Sequence, residues 1–155
     1  MSDLREYISQ VKKIKQLKTI KSKVSTKYEI AGVTAKVDQS HAVLFENIKE
    51  SDFRLVSNLV GTRKRFALAV GGTESNIHQK VISAIKNAKT PKIIPTGKFM
   101  ENNSKNINSM PIVTHFEKES GPFITSSVAY AKNPETGKQN SSFHRMMPID
   151  KTHLS

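Results

Sequence analysis

The sequence predicts an α/β N-terminal domain over residues 1–90, a linker over residues 91–111 and a β-hairpin unit over residues 112–155. Three observations support this fold class. In the first ninety residues, short apolar runs of strand character alternate with segments of helical spacing, which is the pattern of an α/β layer. Proline, glycine and asparagine then interrupt the periodicity. After them, two alternating segments flank a turn sequence, as in a β-hairpin.

Capping residues and apolar spacing predict the first two helices and the strand between them. Ser2 and Asp3 are the predicted start of the first helix. Its apolar positions recur at helical spacing: Leu4, Tyr7, Ile8, Val11 and Ile14. The following "LKTIKSKVS" alternates like a strand. A capping box formed by Thr26 and Glu29 introduces a short second helix. Its predicted inward residues are Ile30, Val33 and Val37.

Two apolar segments, "AVLFEN" (42–47) and "RLVSNLV" (54–60), are predicted strands of a buried sheet, separated by a turn at Ser51 and Asp52. Thr62 is a predicted cap of the helix "RKRFALAV", which Gly71 and Gly72 end. Thr73 is the predicted cap of the next helix, and the apolar residues of that helix are Ile77, Val81, Ile82 and Ile85.

Residues 91–111 are rich in polar residues, and Pro91, Pro95 and Gly97 interrupt any helical or strand periodicity there. We therefore expect a linker or surface loop. The segment from Phe123 to Lys132 then has strand character. The sequence "NPETGK" is typical of a turn. Residues 139–147 again have strand character, so the two segments and the turn between them predict a β-hairpin.

The chain is strongly basic, with 25 Lys and Arg against 13 Asp and Glu, a net charge of +12. Six lysines fall between positions 12 and 23, so binding to a nucleic acid or another polyanion is one hypothesis. The alternative is a solvated helix face beside an edge strand protected by charge. Nucleic-acid binding is less favoured, because no aromatic residue interleaves with the lysines.

Composition excludes several classes of site. The chain has no cysteine, which removes disulfides, thiolate metal sites and thiol nucleophiles. No apolar run approaches the ~20 residues that span a bilayer, so we expect no membrane span and a cytoplasmic location. The phosphate-loop glycine patterns, closely spaced histidine pairs and the G-x-S-x-G elbow are also absent.

The strand "QNSSFHRMM" (139–147) carries unusual polar residues for a structural strand. Asn140 offers an amide oxygen suited to a hard cation such as Mn²⁺ or Mg²⁺, and Arg145 offers a planar fork for phosphate or carboxylate. Phe143 and His144 lie between them and could present ring and backbone to a flat cofactor. The alternative, an edge strand with a polar outer side, stays open. Strict alternation puts Asn140 and Arg145 on opposite faces, so shared binding needs a bulge or a ligand over the strand's edge or end.

These segments together resemble the N-terminal part of the UbiD-family decarboxylases, in their archaeal form. The matching stretches are "LREYISQV", "STKYEIAGVTAKVD", "AVLFENIKESDFRLVSNLVGTRKRFALAVG" and "PIVTHFEKESGPFITSSVAYAKNPETGKQNSSFHRMM". The resemblance implies that the hairpin is the first of a split β-barrel that binds prenylated FMN. It also implies that Asn140 ligates a divalent metal, Mn²⁺ or Mg²⁺. Arg145 is then the catalytic candidate beside the flavin, where it holds the substrate carboxylate, and Phe143, His144 and Arg145 line the cofactor.

The implied reaction is decarboxylation of an α,β-unsaturated or aromatic acid, with the flavin as electron sink. Trans-anhydromevalonate 5-phosphate or a polyprenyl-hydroxybenzoate are the expected substrates, and a flavin prenyltransferase supplies the cofactor. The family's proteins are about three times as long. The second metal ligand and the acid–base carboxylates are therefore expected beyond Ser155. We expect a second chain or a longer product to complete the barrel, no activity without it, and a homo-oligomer.

Overall fold

The computed structural model describes residues 3–90 and 92–155, apart from the side chain of Phe99. These residues contain four α-helices and five strands in mixed order, besides two short 3-10 turns: α1 Leu4–Lys13, β1 Leu17–Ile20, α2 Glu29–Lys36, β2 Ala42–Phe45, β3 Leu55–Ser57, α3 Arg63–Ala69, α4 Ile77–Lys86, β4 Ile124–Lys132 and β5 Gln139–Met146. The order agrees with the predicted α/β unit followed by a hairpin. In the described residues, no helix is long and apolar enough to cross a membrane.

Helix α1 begins as predicted at Asp3, whose side chain accepts a hydrogen bond from the Glu6 amide at 2.8 Å. Ser2, the other predicted start residue, lies outside the described residues. The helix buries Tyr7 and Val11 against Ala42 of the sheet. A polar cap and an apolar stripe therefore fix both the start and the orientation of α1.

The three-stranded sheet has the order β1–β2–β3, with β1 parallel and β3 antiparallel to the central β2. Val43 and Phe45 of β2 are buried in the main core. Strand β3 is shorter than the predicted 54–60 segment, because Asn58 has a positive φ of 56°. The Asn58 side-chain amide also donates to the carbonyls of Asp38 and His41, which ends the strand in a turn.

The predicted capping box of α2 is wrong. The helix begins at Glu29 after Tyr28, which has a φ of 68°. The Glu29 carboxylate accepts from the Ser25 amide at 2.7 Å, one residue earlier than predicted. The Thr26 amide instead donates to Glu50, a carboxylate distant in sequence. Tertiary contact therefore decided this helix start, while Ile30 is buried and the remaining predicted inward residues pack against the core.

Thr62 caps α3 as predicted and accepts from the Arg65 amide. The predicted cap at Thr73 is wrong, since α4 begins only at Ile77. Residues 73–76 form a turn instead, in which the Asn76 side chain accepts from the Thr73 amide at 2.7 Å. Ile77 is the buried apolar residue of α4, whereas Ile85 is 73% exposed.

The predicted hairpin is confirmed. Strands β4 and β5 are antiparallel, and Asn133 at the turn accepts from the amides of Glu135 and Thr136. Gly137 has a φ of 69°, a conformation that favours glycine. The described residues contain this two-stranded sheet and no closed barrel.

The segment before the hairpin joins it to the first core. Val113 lies in the same buried cluster as Val43 and Phe45. Thr114 donates its amide to the carbonyl of Thr26 at 3.1 Å and accepts from the Tyr28 amide at 3.1 Å. The segment that leads into the hairpin is therefore held against the α/β unit by backbone pairing. Pro91, the predicted start of the linker, lies outside the described residues, and the division into 1–90, 91–111 and 112–155 stays a prediction.

Candidate active site on the hairpin

The polar residues of β5 are distributed over both faces of the hairpin. Asn140 pairs with Ala131, Phe143 with Val128 and His144 with Ser127, in an unbroken register. Because side chains alternate along a strand, Asn140 and His144 share one face and Phe143 and Arg145 share the other.

The hairpin does contain a bulge, but it lies on the partner strand. The pairs Ile124–Met146 and Ser127–His144 leave Thr125 and Ser126 of β4 opposite Arg145 alone. Strand β5 itself is continuous between Asn140 and Arg145. Convergence of these two side chains through a bulge in β5 is therefore not observed. Shared binding of one ligand over the strand's edge or end stays a prediction.

The Arg145 side chain contacts an aromatic ring and a carboxylate. Its guanidinium carbon is 4.1 Å from the ring centroid of Phe123, within the range of a cation–π contact. Its Nη1 atom is 3.9 Å from Oε1 of Glu119. The side chain nevertheless remains 60% exposed. The guanidinium is thus both held in place and accessible to an anion.

Glu119 is itself fixed by its own loop. Its Oε2 atom accepts hydrogen bonds from the amides of His115 at 2.8 Å and Phe116 at 3.2 Å. The hydrogen bond from the His115 amide, followed by the one from Phe116, keeps the pKa of the Glu119 carboxyl below its ordinary value. The side chain is only 14% exposed. Glu119 is therefore an ionised, positioned carboxylate at ordinary pH.

Sequence reasoning assigned no role to Glu119 or Phe123. Both lie in the block "THFEKESGPF" (114–123), which ends directly before β4. A signal was present, because a carboxylate flanked by turn residues and followed by an aromatic lies just before β4. Only the folding of β5 back along β4 brings these residues to Arg145.

Phe143 and its neighbours form an exposed apolar face. Phe143 is 85% exposed, and Val128 and Tyr130 on the same face are 43% and 73% exposed. His144 on the opposite face is exposed as well, and its carbonyl accepts from the Ser127 hydroxyl at 2.6 Å. An apolar, aromatic surface of this kind is suited to contact a flat ring or further polypeptide.

Asn140 is exposed and offers a single oxygen donor for a metal ion. Within residues 3–90 and 92–155, no group of three or more His, Asp or Glu side chains could hold a metal. A hard cation prefers about six oxygen ligands. The residues present therefore fit one position of such a coordination shell, and further donors have to come from elsewhere.

The lysine run lies at the end of α1 and along β1. All six lysines are exposed: Lys12, Lys13, Lys15, Lys18, Lys21 and Lys23. Across the described parts of the chain, none of them forms an ion pair; the lysine that does is Lys49, with Glu29. Both hypotheses for the run, a polyanion-binding surface and a charged edge strand, remain predictions.

Comparison with known proteins identifies the class to which this fold and hairpin belong. Residues 8–85 match the family model of the 3-octaprenyl-4-hydroxybenzoate carboxy-lyase N-terminal domain. Residues 89–155 match that of the 3-octaprenyl-4-hydroxybenzoate carboxy-lyase Rift-related domain. The chain belongs to the UbiD family, which confirms the resemblance read from its motifs.

The related proteins include decarboxylases. Anhydromevalonate phosphate decarboxylase of Methanothermobacter thermautotrophicus is 29% identical over 136 residues, which cover 88% of this chain and 32% of that protein. The enzyme of the same name from Methanosarcina mazei is 28% identical, with 97% of this chain and 35% of that protein covered. The chain spans about a third of the length of these relatives.

Solved structures show the same fold. The UbiD-class enzyme HmfF from Pelotomaculum thermopropionicum, in an evolved dimeric form in complex with prFMN, superposes with a TM-score of 0.88 at 26% identity. The match covers 97% of this chain and 37% of that one. The 3,4-dihydroxybenzoic acid decarboxylase of Enterobacter cloacae, at 21% identity, gives a TM-score of 0.87 over 100% of this chain and 36% of the other. The predicted UbiD-like fold class is therefore confirmed.

Proposed function

We propose that this chain supplies the N-terminal part of a non-oxidative decarboxylase that uses prenylated FMN and a divalent metal. The observation that carries the proposal is an accessible, pre-positioned arginine, Arg145, on the strand that also carries Asn140, in a chain of the UbiD family. The prFMN complex of HmfF supports the cofactor. Mn²⁺ or Mg²⁺ follows from the hard oxygen donor at Asn140.

Arg145 binds the substrate carboxylate in this proposal. A guanidinium stays charged at all physiological pH values and pairs with a carboxylate through two parallel hydrogen bonds. Glu119 approaches one end of the guanidinium, at Nη1. The other N–H donors are left for the acid. The arginine therefore orients the carboxylate whose bond to carbon is to be broken.

The remaining candidates contact the cofactor and metal. Asn140 would hold the metal through its amide oxygen, and the metal would neutralise the cofactor's phosphate. Phe143, His144 and Arg145 would line the flavin. When bound, prenylated FMN supplies the electron sink for the pair released as carbon dioxide leaves. The chain's own residues bind, orient and exclude water, while the proton that replaces the carboxylate comes from an acid outside the described site.

The substrate class is an α,β-unsaturated or aromatic carboxylic acid. Trans-anhydromevalonate 5-phosphate is the first compound to test, because two related proteins are anhydromevalonate phosphate decarboxylases. A polyprenyl-hydroxybenzoate is the second, in line with the family description. A flavin prenyltransferase would supply the cofactor, and the proposed location is the cytoplasm.

Further polypeptide is part of the proposal. Phe143 and Tyr130 are largely exposed on one face of the hairpin, and a two-stranded sheet is marginal alone. We therefore propose that further polypeptide, in a second chain or in a longer product, completes the barrel against this face, that the completed protein forms a homo-oligomer, and that the chain is inactive without it.

The test combines this chain with the carboxyl-terminal part of an anhydromevalonate phosphate decarboxylase, prenylated FMN and Mn²⁺, and measures carbon dioxide release. Arg145→Ala and Asn140→Ala should each abolish release, whereas Gln139→Ala, an exposed neighbour on the same strand, should retain it. Full activity of both site variants would remove the site assignment. Absence of activity in the unsubstituted complex, with every acid tried, would count against the reaction itself.

A second candidate function, polyanion binding, rests on the six exposed lysines that lack ion pairs within the described residues. It predicts that affinity for duplex or single-stranded nucleic acid falls with salt, with a log–log slope of about −0.9 per phosphate contact on duplex DNA. Binding that is absent, or insensitive to salt, would remove this candidate.

A further inference from the structure

Arg145 differs from Arg5 and Arg54, two other exposed arginines, because its guanidinium contacts an aromatic ring and a carboxylate. Exposed arginines sample many rotamers, and each one that is immobilised loses side-chain entropy. Arg5 and Arg54 are exposed and, in the described part of the chain, lie over no aromatic ring and beside no carboxylate. Arg145 instead lies over the Phe123 ring and beside the Glu119 carboxylate.

We propose that Phe123 and Glu119 are positioning residues for Arg145, and that together they direct its free guanidinium edge toward an incoming carboxylate. The inference rests on the proposed function, because it concerns how the arginine is prepared for an acid. Neither residue is expected to touch the substrate's reacting atoms.

The two residues that contact Arg145 are anchored by backbone hydrogen bonds, one of them to the main core. Phe123 donates its backbone amide to the carbonyl of Val113 at 3.1 Å, and Val113 is buried in the main core. Glu119 is fixed by two amides of its own loop. The backbone of Phe123 and the carboxylate of Glu119 are therefore both held by contacts that do not involve Arg145.

The contacts that Glu119 and Phe123 make with Arg145 leave the arginine able to bind an anion. Glu119 is already satisfied at Oε2 by backbone donors, and its Oε1 approaches Nη1 only at 3.9 Å. The Glu119 carboxylate thus attracts the Arg145 guanidinium but does not form the close pair of two hydrogen bonds that would use up its N–H donors. A ring beneath the guanidinium restricts its plane and leaves its N–H edge open.

The bulge on β4 is consistent with this role. Thr125 and Ser126 both lie opposite Arg145, so the ladder is irregular two to three residues after Phe123. A bulge increases the local twist and redirects neighbouring side chains. It therefore contributes to placing the Phe123 ring beneath the opposite strand's arginine.

The experiment is NMR of the full 155-residue chain labelled in arginine side chains, without cofactor or substrate. The Arg145 side-chain protons should be shifted upfield by the Phe123 ring and should show nuclear Overhauser contacts to it. Phe123→Leu should remove the shift, and Phe123→Tyr or Phe123→Trp should retain it, because a cation–π contact needs a ring. Glu119→Gln should reduce the shift and increase side-chain motion.

Matched controls lie in the same loop. Phe116→Leu replaces a ring that is 70% exposed, and Glu117→Gln replaces an exposed carboxylate that makes none of these contacts. Both should leave the Arg145 signals unchanged. Arg145 signals that coincide with those of Arg5 and Arg54, or equal effects of Phe116→Leu and Phe123→Leu, would overturn the proposal. If Phe123→Leu does not fold, the Overhauser contacts in the unsubstituted chain decide.

Kinetics of the completed enzyme give a second measurement. Phe123→Leu should raise KM for the acid about two- to fivefold, the range expected for an exposed cation–π contact, and Phe123→Tyr should restore it. Failure of decarboxylation would remove the proposed function and leave the NMR result intact. A mobile Arg145 in an active enzyme would remove the positioning role alone.

Discussion

The hydroxyl of Tyr7 shares its single proton between two backbone carbonyls, that of Arg65 at 2.9 Å and that of Leu59 at 3.0 Å. The Arg65 side chain beside it is completely buried. Its guanidinium donates to the carbonyls of Leu59, Asn58 and Ser40. Helix α1, the end of β3 and helix α3 are therefore held together by one phenol and one guanidinium.

Replacing Tyr7 by Phe should destabilise the chain by about 1.5 kcal/mol, because a buried carbonyl loses its donor while the ring stays packed. Urea denaturation measures the change. Tyr130→Phe is the matched control, since Tyr130 is 73% exposed, and it should alter stability little. Equal effects of the two substitutions would contradict the assignment. Burial also raises the pKa of the Tyr7 hydroxyl, so the hydrogen bonds persist through neutral pH.

Replacing Arg65 by Met should cost about 3 kcal/mol, a larger effect than at Tyr7. A buried ion pair can often be exchanged for apolar residues, but the partners here are backbone carbonyls, which no substitution removes. Each of these interior carbonyls would lose its guanidinium donor. Lys64→Met, at the exposed neighbouring position, should be close to neutral in the same thermal or urea measurement. A stable Arg65→Met variant would show that water satisfies these carbonyls.

Two glycines should respond to alanine in opposite directions. Gly137 has a φ of 69° in the hairpin turn, so Gly137→Ala should cost about 1 kcal/mol. Gly32 lies inside α2 with nothing within 4 Å of an added Cβ, so Gly32→Ala should stabilise by about 0.5–1 kcal/mol. Thermal unfolding of both variants checks the pair, and a change of the same sign in both would be inconsistent with these backbone conformations.

Acid should weaken the support of Arg145. The folded-state pKa of Glu119 lies below its ordinary value of 4.5, chiefly through the amide of His115. The stability that Glu119 contributes is therefore present above pH 4.5 and is lost as the pH falls through the folded value. Stability curves measured between pH 3 and 6 should be flatter for Glu119→Gln than for the unsubstituted chain. Glu117→Gln should keep the original profile.

Much of the fold could be predicted because its signals are local. The cap at Asp3, the cap at Thr62 and the turn at Gly137 each depend on residues a few positions apart. The failures arose where another residue accepted the capping amide, a distant residue at Thr26 and a residue three positions away at Thr73. Glu50 took the amide of Thr26, and Asn76 took that of Thr73, so both predicted caps were displaced.

The site was predicted only in part for the same reason. The sequence indicated a site on β5 because polar and aromatic groups interrupt the strand there, at Asn140, Phe143, His144 and Arg145. The roles of these four residues stay predictions. Glu119 and Phe123 gave no comparable signal. Their relation to Arg145 depends on the register of β4 and β5 and on the bulge opposite Arg145.

The sequence by itself determined the succession of helices and strands, the hairpin and the family, since periodicity, turn residues and long motifs are properties of neighbouring positions. The tertiary structure decided which charged group is buried, where α2 begins and what lies beneath Arg145. Those outcomes depend on contacts between residues far apart in the chain, where packing and the need to satisfy each buried polar group choose among locally equivalent arrangements.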